Sequence, residues 1–280
     1  PAWQHIRMKP MPQPHIAFIA AGHMNSAIIH GLIGNNYPID QLSVSNRSPE
    51  KLNAFTCNTS TDNLSVIAHA DVVVLGVKPQ QIQTICQEIQ KHCQQKKPLI
   101  ISIAAGISFE HMQKHLAYPA ALVRAMPNLA ATVGMSATGL CANDHVSDTQ
   151  KTFATMIFNT IGTAYWLPKE AQIATLASLA GSGPAYVFLF MQAMIDSATH
   201  MGLDETLAKQ ICIQTLSGAT ALALKDNNSL DTLRKRVTSP NGTTQAAITV
   251  MQQQQFEHII DQAMKANVQR SSEIEQENNQ

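Results

Sequence analysis

The sequence predicts an α/β fold, with a doubly wound parallel sheet in the first part of the chain and an all-helical second part. Short β-like runs alternate with helical patterns as far as about residue 166, which is typical of such a sheet. One run, residues 71–77, is nearly continuous valine and leucine, as expected for a strand buried on both faces. Beyond Pro168 only helical spacing remains. We therefore predict two domains, residues 1–166 and residues 167–280.

The elements of the first domain follow from apolar periodicity and from the turn residues between the apolar runs. The predicted strands are 15–20, 42–45, 71–77, 99–103 and 121–125, with 133–140 and 163–166 as candidates for the far edge. The predicted helices between them are 22–33, 48–55 and 79–93.

The second domain is predicted to consist of helices at 170–179, 184–201, around 208–223 and 243–270. Residues 184–201 are apolar almost all round, so we expect this helix to be buried on every side. The tail from Ser271 is polar, and we expect it to fray.

The charge balance argues against two classes of partner. The 19 Lys and Arg residues equal the 19 Asp and Glu residues, so no net field recruits nucleic acid or an anionic membrane. Only 14% of the residues are charged and 45% are hydrophobic, which suits a chain that buries further surface in an oligomer. We expect a small-molecule substrate and no nucleic-acid partner.

Cysteine usage and apolar segments predict a cytoplasmic protein. The five cysteines are widely spaced and include no C-x-x-C pair, as expected for reduced thiols. The residues before His15 contain no apolar signal-peptide core. The longest apolar run, 184–191, is much shorter than the roughly 20 residues of a membrane helix. We therefore expect no membrane association.

The first strand-to-helix turn reads AAGHMN at residues 20–25. A Rossmann-like dinucleotide-binding domain has G-x-G-x-x-G/A at this point, and here Gly22 alone fits the pattern. We expect this turn to contact a dinucleotide cofactor; an ordinary strand-to-helix turn is the alternative. The cofactor-binding residues assigned to it are Ala21, Gly22, His23 and Met24.

The end of the second strand indicates which dinucleotide is bound. NAD enzymes tend to have an acidic residue there for the ribose 2′-hydroxyl, whereas NADP enzymes have an arginine near the 2′-phosphate. This chain has Ser45, Asn46 and Arg47 and no acid. We predict NADP(H) as cofactor, with NAD(H) as the alternative; a polar turn with an exposed arginine is the other interpretation.

Three further loops follow predicted strands at the carboxyl edge of the sheet, where ligands bind in such folds. Lys78 either faces the cofactor or begins a helix, and Asn128 is either a polar contact or a turn residue. The small residues after the strand 99–103 leave room for a nicotinamide ring. From these loops we assign Val77, Lys78, Pro79, Ala104, Ala105, Gly106 and Asn128 to cofactor binding.

Two patterns do not predict a metal site or a hydrolase. His111 and His115 have i, i+4 spacing on a predicted helix, but no third ligand is evident nearby, so we predict no metal. Ser182 lacks the G-x-S-x-G frame of a hydrolase nucleophile.

Residues 237–244 (VTSPNGTT) form a run of hydroxyl-bearing and small residues between two helical segments. The run contains no acid, base or metal ligand. Hydroxyls and free backbone N–H groups at a helix N-terminus bind a small carboxylate well. Together with a dinucleotide domain, this run suggests an enzyme whose cofactor performs the chemistry while the protein positions the substrate.

Four motifs together resemble the pyrroline-5-carboxylate reductase family, over residues 15–274. They are VKPQ at 77–80, VRAMPN at 123–128, GSGPAY at 181–186 and VTSPNGTT at 237–244. The resemblance implies NAD(P)H-dependent reduction of Δ1-pyrroline-5-carboxylate to L-proline, the last step of proline biosynthesis.

The resemblance also implies roles for residues of the 237–244 run. Ser239 and the backbone amides around Gly242 and Thr243 would hold the substrate carboxylate. Thr244 would contact the ring nitrogen and is the predicted catalytic residue. The helical domain would be a dimerisation domain, in a homodimer or a homodecamer.

The chain departs from the family pattern in three segments. Ala20, His23 and Asn25 replace the usual Gly, Asn and Ala of the cofactor turn, Asn241 replaces the first Gly of the substrate loop, and residues 129–130 (Leu-Ala) replace the common Thr-Pro. Ala20 is expected to crowd the turn, whereas Asn tolerates a left-handed backbone better than most residues.

Two alternatives follow from the same residues. A non-catalytic dimeric paralogue with a degraded cofactor loop is one. A β-hydroxyacid dehydrogenase is the other, but that family needs a lysine on an early helix of the helical domain. No Lys or Arg occurs between Glu170 and Ala208, which argues against it.

Overall fold

The computed structural model describes residues 13–279, so the expectation about a signal peptide lies mostly outside the described residues. The chain forms two compact units: unit 1 is Pro1–Gly181 with Val268–Gln280, and unit 2 is Ser182–Asn267. The predicted boundary between residues 166 and 167 does not coincide with this division. Contacts also return the end of the chain to unit 1, which sequence periodicity does not reveal.

Unit 1 contains an eight-stranded sheet in its described part. The strands are β1 Ile16–Ile19, β2 Leu42–Ser45, β3 Asn58–Ser60, β4 Val72–Leu75, β5 Leu99–Ser102, β6 Leu122–Met126, β7 Ser136–Ala142 and β8 Gly162–Trp166. Their order is β3-β2-β1-β4-β5-β6-β7-β8, and every neighbouring pair is parallel except β6 and β7. The strand order reverses at β1, which lies between β2 and β4.

Helices cover both faces of this sheet. They are α1 His23–Gly34, α2 Asn63–Ile67, α3 Ile82–Lys96, α4 Phe109–Leu116, α5 Asp148–Asn159 and α6 Gln172–Leu176. Alternate strand residues point to opposite faces. Ile16 and Phe18 therefore enter the core shared with α1 and α5, whereas Ala17 and Ile19 enter the core shared with α2, α3 and α4. The predicted doubly wound α/β fold is confirmed.

Unit 2 is helical throughout, as predicted. It contains α7 Gly183–His200, α8 Glu205–Lys225, α9 Leu230–Arg236 and α10 Thr243–Gln253, and α11 Phe256–Asn279 begins in it. The single helix expected at 243–270 is wrong. Gln255 adopts a left-handed φ of 55°, which ends α10 and starts α11.

The expectation that residues 184–201 are buried on every side is wrong for the single chain. Ile195 is the one buried residue of α7 in the described chain, and the side chains of Phe188 and Leu189 are 59% and 74% exposed. The apolar composition of a helix shows that its surface favours burial. It does not show whether the same chain or another molecule covers that surface.

One helical stretch in residues 13–279, Gln172–His200, is long and apolar enough to cross a membrane by length and composition alone. The apolar run at 184–191 understates this stretch because a longer window tolerates scattered polar residues. Only 11% of its most apolar window is buried within the chain. A helix that packs against another protein has the same composition, so the stretch is weak evidence for a membrane.

The polar C-terminal tail does not fray, contrary to expectation. The last part of α11 packs on unit 1 and brings Glu275 to the buried Arg124 of β6. Arg124 Nη1 lies 2.8 Å from Glu275 Oε1 and 2.7 Å from Glu170 Oε1. Because one buried guanidinium is shared by two carboxylates that are distant in sequence, charge pairing anchors the tail to the sheet.

We predict that Glu275→Gln lowers the free energy of unfolding by roughly 1–2 kcal/mol, because it removes a charge-assisted hydrogen bond from a buried arginine. The measurement is the urea midpoint at a fixed protomer concentration. Glu277→Gln is the matched control: Glu277 pairs with Arg270 on the exposed surface. A surface pair of this kind should change stability by less than about 0.5 kcal/mol. Equal effects of the two substitutions would contradict the anchoring role of Glu275.

Candidate cofactor cavity and carboxylate-binding loop

A cavity of about 280 Å³ opens where β1, β2 and β4 end, at the point where the strand order reverses. Ligands bind at this switch point in open α/β sheets. The cavity brings together six residues predicted from sequence: Ala21, Gly22, Asn46, Arg47, Val77 and Lys78. It also contains Ala20, Lys51, Asn63, Gly76 and Gln81, which were not predicted.

The turn after β1 leads directly into α1 at one wall of the cavity. Gly22 is the N-cap residue of α1, and no side chain caps this end of the helix. The first backbone N–H groups of a helix lack intrahelical acceptors and carry the positive end of its dipole. This end of α1 is therefore suited to a pyrophosphate group.

Three cationic side chains line the same cavity: Arg47, Lys51 and Lys78. All three are exposed, and within residues 13–279 none of them has a carboxylate within salt-bridge distance. The cavity thus offers positive charge without a protein counter-charge, which fits a ligand with several phosphates. Sequence analysis missed Lys51 because it lies in a 3₁₀ turn, Pro49–Ala54, that returns it to the cavity.

Ser45 and Asn46 support this cavity in a way that differs from the expected direct contact. The Ser45 side chain is fully buried and donates its hydroxyl to Asn63 Oδ1 at 2.6 Å. Asn46 Oδ1 accepts from the backbone N–H of Ser48 at 2.9 Å. Since the Ser45 hydroxyl is already donated, Arg47 is the cationic side chain of this group that can meet a phosphate, and Asn46 lines the same cavity.

The loop after β5 is shaped by the C-terminal helix. Gly106 is buried with a left-handed φ of 68°, and a Cβ on it would lie 3.1 Å from Ile274 Cγ2 and from Asn278 Nδ2. The side chain of Asn279 accepts from the backbone N–H of Ser108 at 3.2 Å. Close approach of α11 therefore explains this glycine, while Ala104 and Ala105 are the residues with exposed surface.

The remaining residues of the predicted cofactor set lie around this edge but do not line the cavity. His23 begins α1 and lines a neighbouring cavity of about 370 Å³. Met24 packs against the core, and Pro79 begins a 3₁₀ turn.

Asn128 is held by protein partners at both ends of its side-chain amide. Its Oδ1 accepts from the backbone N–H of Ala130 at 3.1 Å, and its Nδ2 donates to the carbonyl of Ala180 at 2.9 Å. These contacts support the role of Asn128 as a turn residue, rather than as a polar contact to the cofactor.

The 237–244 run forms the start of α10 in unit 2. Gly242 is the N-cap residue of α10, and again no side chain caps the helix. A Cβ on Gly242 would overlap Ser239 Oγ, so glycine lets the serine hydroxyl lie against the helix end. Asn241 has the expected left-handed φ, 57°. Thr243 and Thr244 are exposed in the first turn.

The two histidines with i, i+4 spacing lie side by side on α4. The rings of His111 and His115 lie edge to face with centroids 4.7 Å apart. No group of three potential metal-ligating side chains occurs in the part of the chain that the structure describes. Burial lowers the pKa of His111, and the neighbouring His115 lowers it further, so both rings favour the neutral form.

Two family models match separate parts of the chain. Residues 15–106 match the model described as NADP oxidoreductase, coenzyme F420-dependent. Residues 170–274 match the model described as pyrroline-5-carboxylate reductase dimerisation. The first match contains the cavity at the end of β1, and the second contains the start of α10.

Individual relatives extend over nearly the whole chain. Pyrroline-5-carboxylate reductase of Pseudomonas aeruginosa is 41% identical over 268 residues, covering 94% of this chain and 98% of that protein. The solved pyrroline-5-carboxylate reductase of Coxiella burnetii has a TM-score of 0.91 at 39% identity, covering 94% of this chain and 98% of that one. The enzyme of Plasmodium falciparum, solved with NADP bound, has a TM-score of 0.84 at 26% identity, covering 95% and 100%.

The family resemblance inferred from the four motifs is thus confirmed, and none of the relatives named above supports a non-catalytic paralogue. The chain belongs to the pyrroline-5-carboxylate reductase family.

Proposed function

We propose that this protein reduces Δ1-pyrroline-5-carboxylate to L-proline, with NADPH preferred over NADH, as an oxidoreductase that acts on a C–N bond. The observation that carries the proposal is the pair of uncapped helix N-termini, one beside a cationic cavity and one beside three hydroxyl-bearing residues. The first suits a phosphorylated dinucleotide, and the second suits a small carboxylate.

The residues of the first site fit NADP(H). The backbone of Ala21 and Gly22 at the start of α1 would hold the pyrophosphate, and Arg47 with Lys51 would hold the 2′-phosphate. When bound, the nicotinamide supplies a hydride. Lys78 adds positive charge at the same cavity. Together these residues neutralise and orient the cofactor without taking part in the transfer.

The residues of the second site fit a cyclic imino acid. The Ser239 hydroxyl and the first free backbone N–H groups of α10, beginning at Thr243, would hold the carboxylate. The expected N–H of Gly242 already donates to the Ser239 carbonyl at 3.1 Å. The Thr244 hydroxyl would meet the ring nitrogen and orient the C=N bond. A protonated imine is already electrophilic at carbon, so hydride addition there leaves the amine of proline and needs no strong enzyme acid. Positioning supplies most of the rate enhancement.

The exposed apolar surface of unit 2 supports a homodimer as the basic assembly, with a homodecamer as the larger form. Phe188 and Leu189 of α7 and Leu224 of α8 are 59%, 74% and 80% exposed in the single chain. Contact with a second copy, rather than with a lipid bilayer, would cover them. A cytoplasmic location agrees with the thiols: burial raises the pKa of Cys86 and Cys93 to about 12, so both stay protonated and unreactive.

The direct test is NADPH oxidation on addition of Δ1-pyrroline-5-carboxylate to the purified protein. We expect absorbance at 340 nm to fall and L-proline to form in equal amount. A protein that binds NADPH but forms no proline would instead be the non-catalytic paralogue. No binding of either dinucleotide would refute the assignment of the cavity as well.

We predict that Thr244→Val lowers kcat/KM for Δ1-pyrroline-5-carboxylate about tenfold to a hundredfold and leaves the Kd of NADPH unchanged. Loss of a hydrogen bond to a charged group costs roughly 1.5–3 kcal/mol. The control is Thr249→Val, one turn further along α10, where the hydroxyl bonds only the carbonyl of Gln245. Unchanged kinetics in Thr244→Val would remove this hydroxyl from the site.

We predict that Arg47→Ala weakens NADPH binding by roughly 1.5–3 kcal/mol and leaves NADH binding nearly unchanged, because only NADPH carries the 2′-phosphate. Lys51→Ala should act in the same direction with a smaller effect. The preference should shrink as salt rises, since exposed charges are screened.

The measurement is kcat/KM with each cofactor at two salt concentrations. Lys91→Ala, which removes an exposed cation from α3, controls for net charge. Equal losses with NADPH and NADH would assign Arg47 to the fold or to adenine binding instead.

A further inference from the structure

Ala20 holds a backbone conformation that its side chain disfavours. Its φ is 73°, in the left-handed region that glycine adopts freely and alanine does not. The residue lies at the wall of the cofactor cavity, between the end of β1 and the start of α1. Some other group must therefore hold this turn in place, since the local preference of an alanine opposes it.

The side chain of Asn25 forms hydrogen bonds with the two peptide groups on either side of Ala20. Its Nδ2 donates to the carbonyl of Ala20 at 2.7 Å and to the carbonyl of Ile19 at 3.3 Å. These carbonyls belong to the peptides that precede and follow the Ala20 Cα. Holding both peptide groups in place fixes the φ and ψ angles of Ala20. An alanine would not keep this left-handed conformation by its own preference.

The Asn25 side chain forms hydrogen bonds through its NH2 group and not through its oxygen. Asn25 is 1% exposed, and its Oδ1 is buried without a hydrogen-bond partner. An unpaired buried acceptor is unfavourable, so this amide costs stability at one end while it holds the turn at the other. An alanine at this position, as in the family pattern, would avoid that cost but would leave the turn unsupported.

Gly76 makes room for this arrangement. A Cβ on Gly76 would overlap the Nδ2 and Cγ atoms of Asn25. The backbone N–H of Gly76 also donates to the carbonyl of Ile19 at 3.0 Å. Gly76, the first residue after β4, therefore leaves space for the Asn25 side chain that supports the turn after β1.

We propose that Asn25 is a positioning residue for cofactor binding, which holds the left-handed turn at Ala20 and so compensates for the missing glycine. Two of the departures from the family pattern, those at residues 20 and 25, then form one coupled unit. The inference rests on the proposed function in that the ligand of the turn is taken to be NADPH.

The test is a double-substitution cycle of wild type, Asn25→Ala, Ala20→Gly and the double variant, with the Kd of NADPH measured by fluorescence titration. Asn25→Ala alone should weaken binding about tenfold, or about 1.4 kcal/mol, because the binding-competent turn is populated less often. With glycine at residue 20, the same substitution should change the Kd less than twofold. Ala20→Gly alone should bind NADPH as tightly as wild type or more tightly.

The control variant is Asn35→Ala at the other end of α1. Asn35 Nδ2 also donates to a backbone carbonyl, that of Gly31 at 2.8 Å, but it lies away from the cavity. This variant should leave the Kd unchanged. At saturating NADPH, the KM for Δ1-pyrroline-5-carboxylate should be the same in all variants, which a general loss of structure would not give.

Three results would overturn the proposal: no loss in Asn25→Ala, an equal loss in both backgrounds, or a loss that Asn35→Ala matches. If Asn25→Ala does not fold, the double variant decides, because folded protein with wild-type affinity supports the coupling and an unfolded double variant refutes it. If wild type binds no NADPH, the proposed function fails, and the melting temperatures of the four proteins still report whether residues 20 and 25 are coupled.

Discussion

The burial of parallel strands on both faces is the constraint from which the rest of unit 1 follows. β1 and β4 are fully buried, so helices must cover both sides of the sheet. Parallel neighbours must be joined by crossover connections, so the loops that follow the parallel strands all lie at the carboxyl edge. The cavity between β1, β2 and β4 is therefore a consequence of how the chain winds outward in two directions from β1.

The protein contributes position and charge at this edge rather than reactive groups. Arg47, Lys51 and Lys78 supply positive charge, and the uncapped end of α1 supplies backbone donors. The start of α10 also offers uncapped backbone donors, and Ser239 lies beside them. This is what a site requires when a cofactor carries the reacting hydride and the substrate is a small anion.

The C-terminal residues of the chain contact the same edge of the sheet. Glu275 and Asn279 lie far from the sheet in sequence, yet they bond Arg124 of β6 and Ser108 in the loop after β5. Through these contacts the last turns of α11 determine the shape of the loop at Gly106. A polar tail that would fray in isolation is ordered because its side chains pair with a buried charge and with backbone groups of unit 1.

Sequence alone determined the fold class, the strands β1, β2, β4, β5 and β6, and the family, because these depend on local apolar patterns and on short motifs. It also identified Arg47 and the left-handed Asn241, since charge type and backbone preference are properties of single residues. Only the tertiary structure decided that Ser45 is sealed in the core, that Lys51 reaches the cavity, and that Asn25 supports Ala20. Each of these depends on which groups the folded chain brings together, and the hydrogen bonds and turns of single polar residues leave no periodic pattern in the sequence.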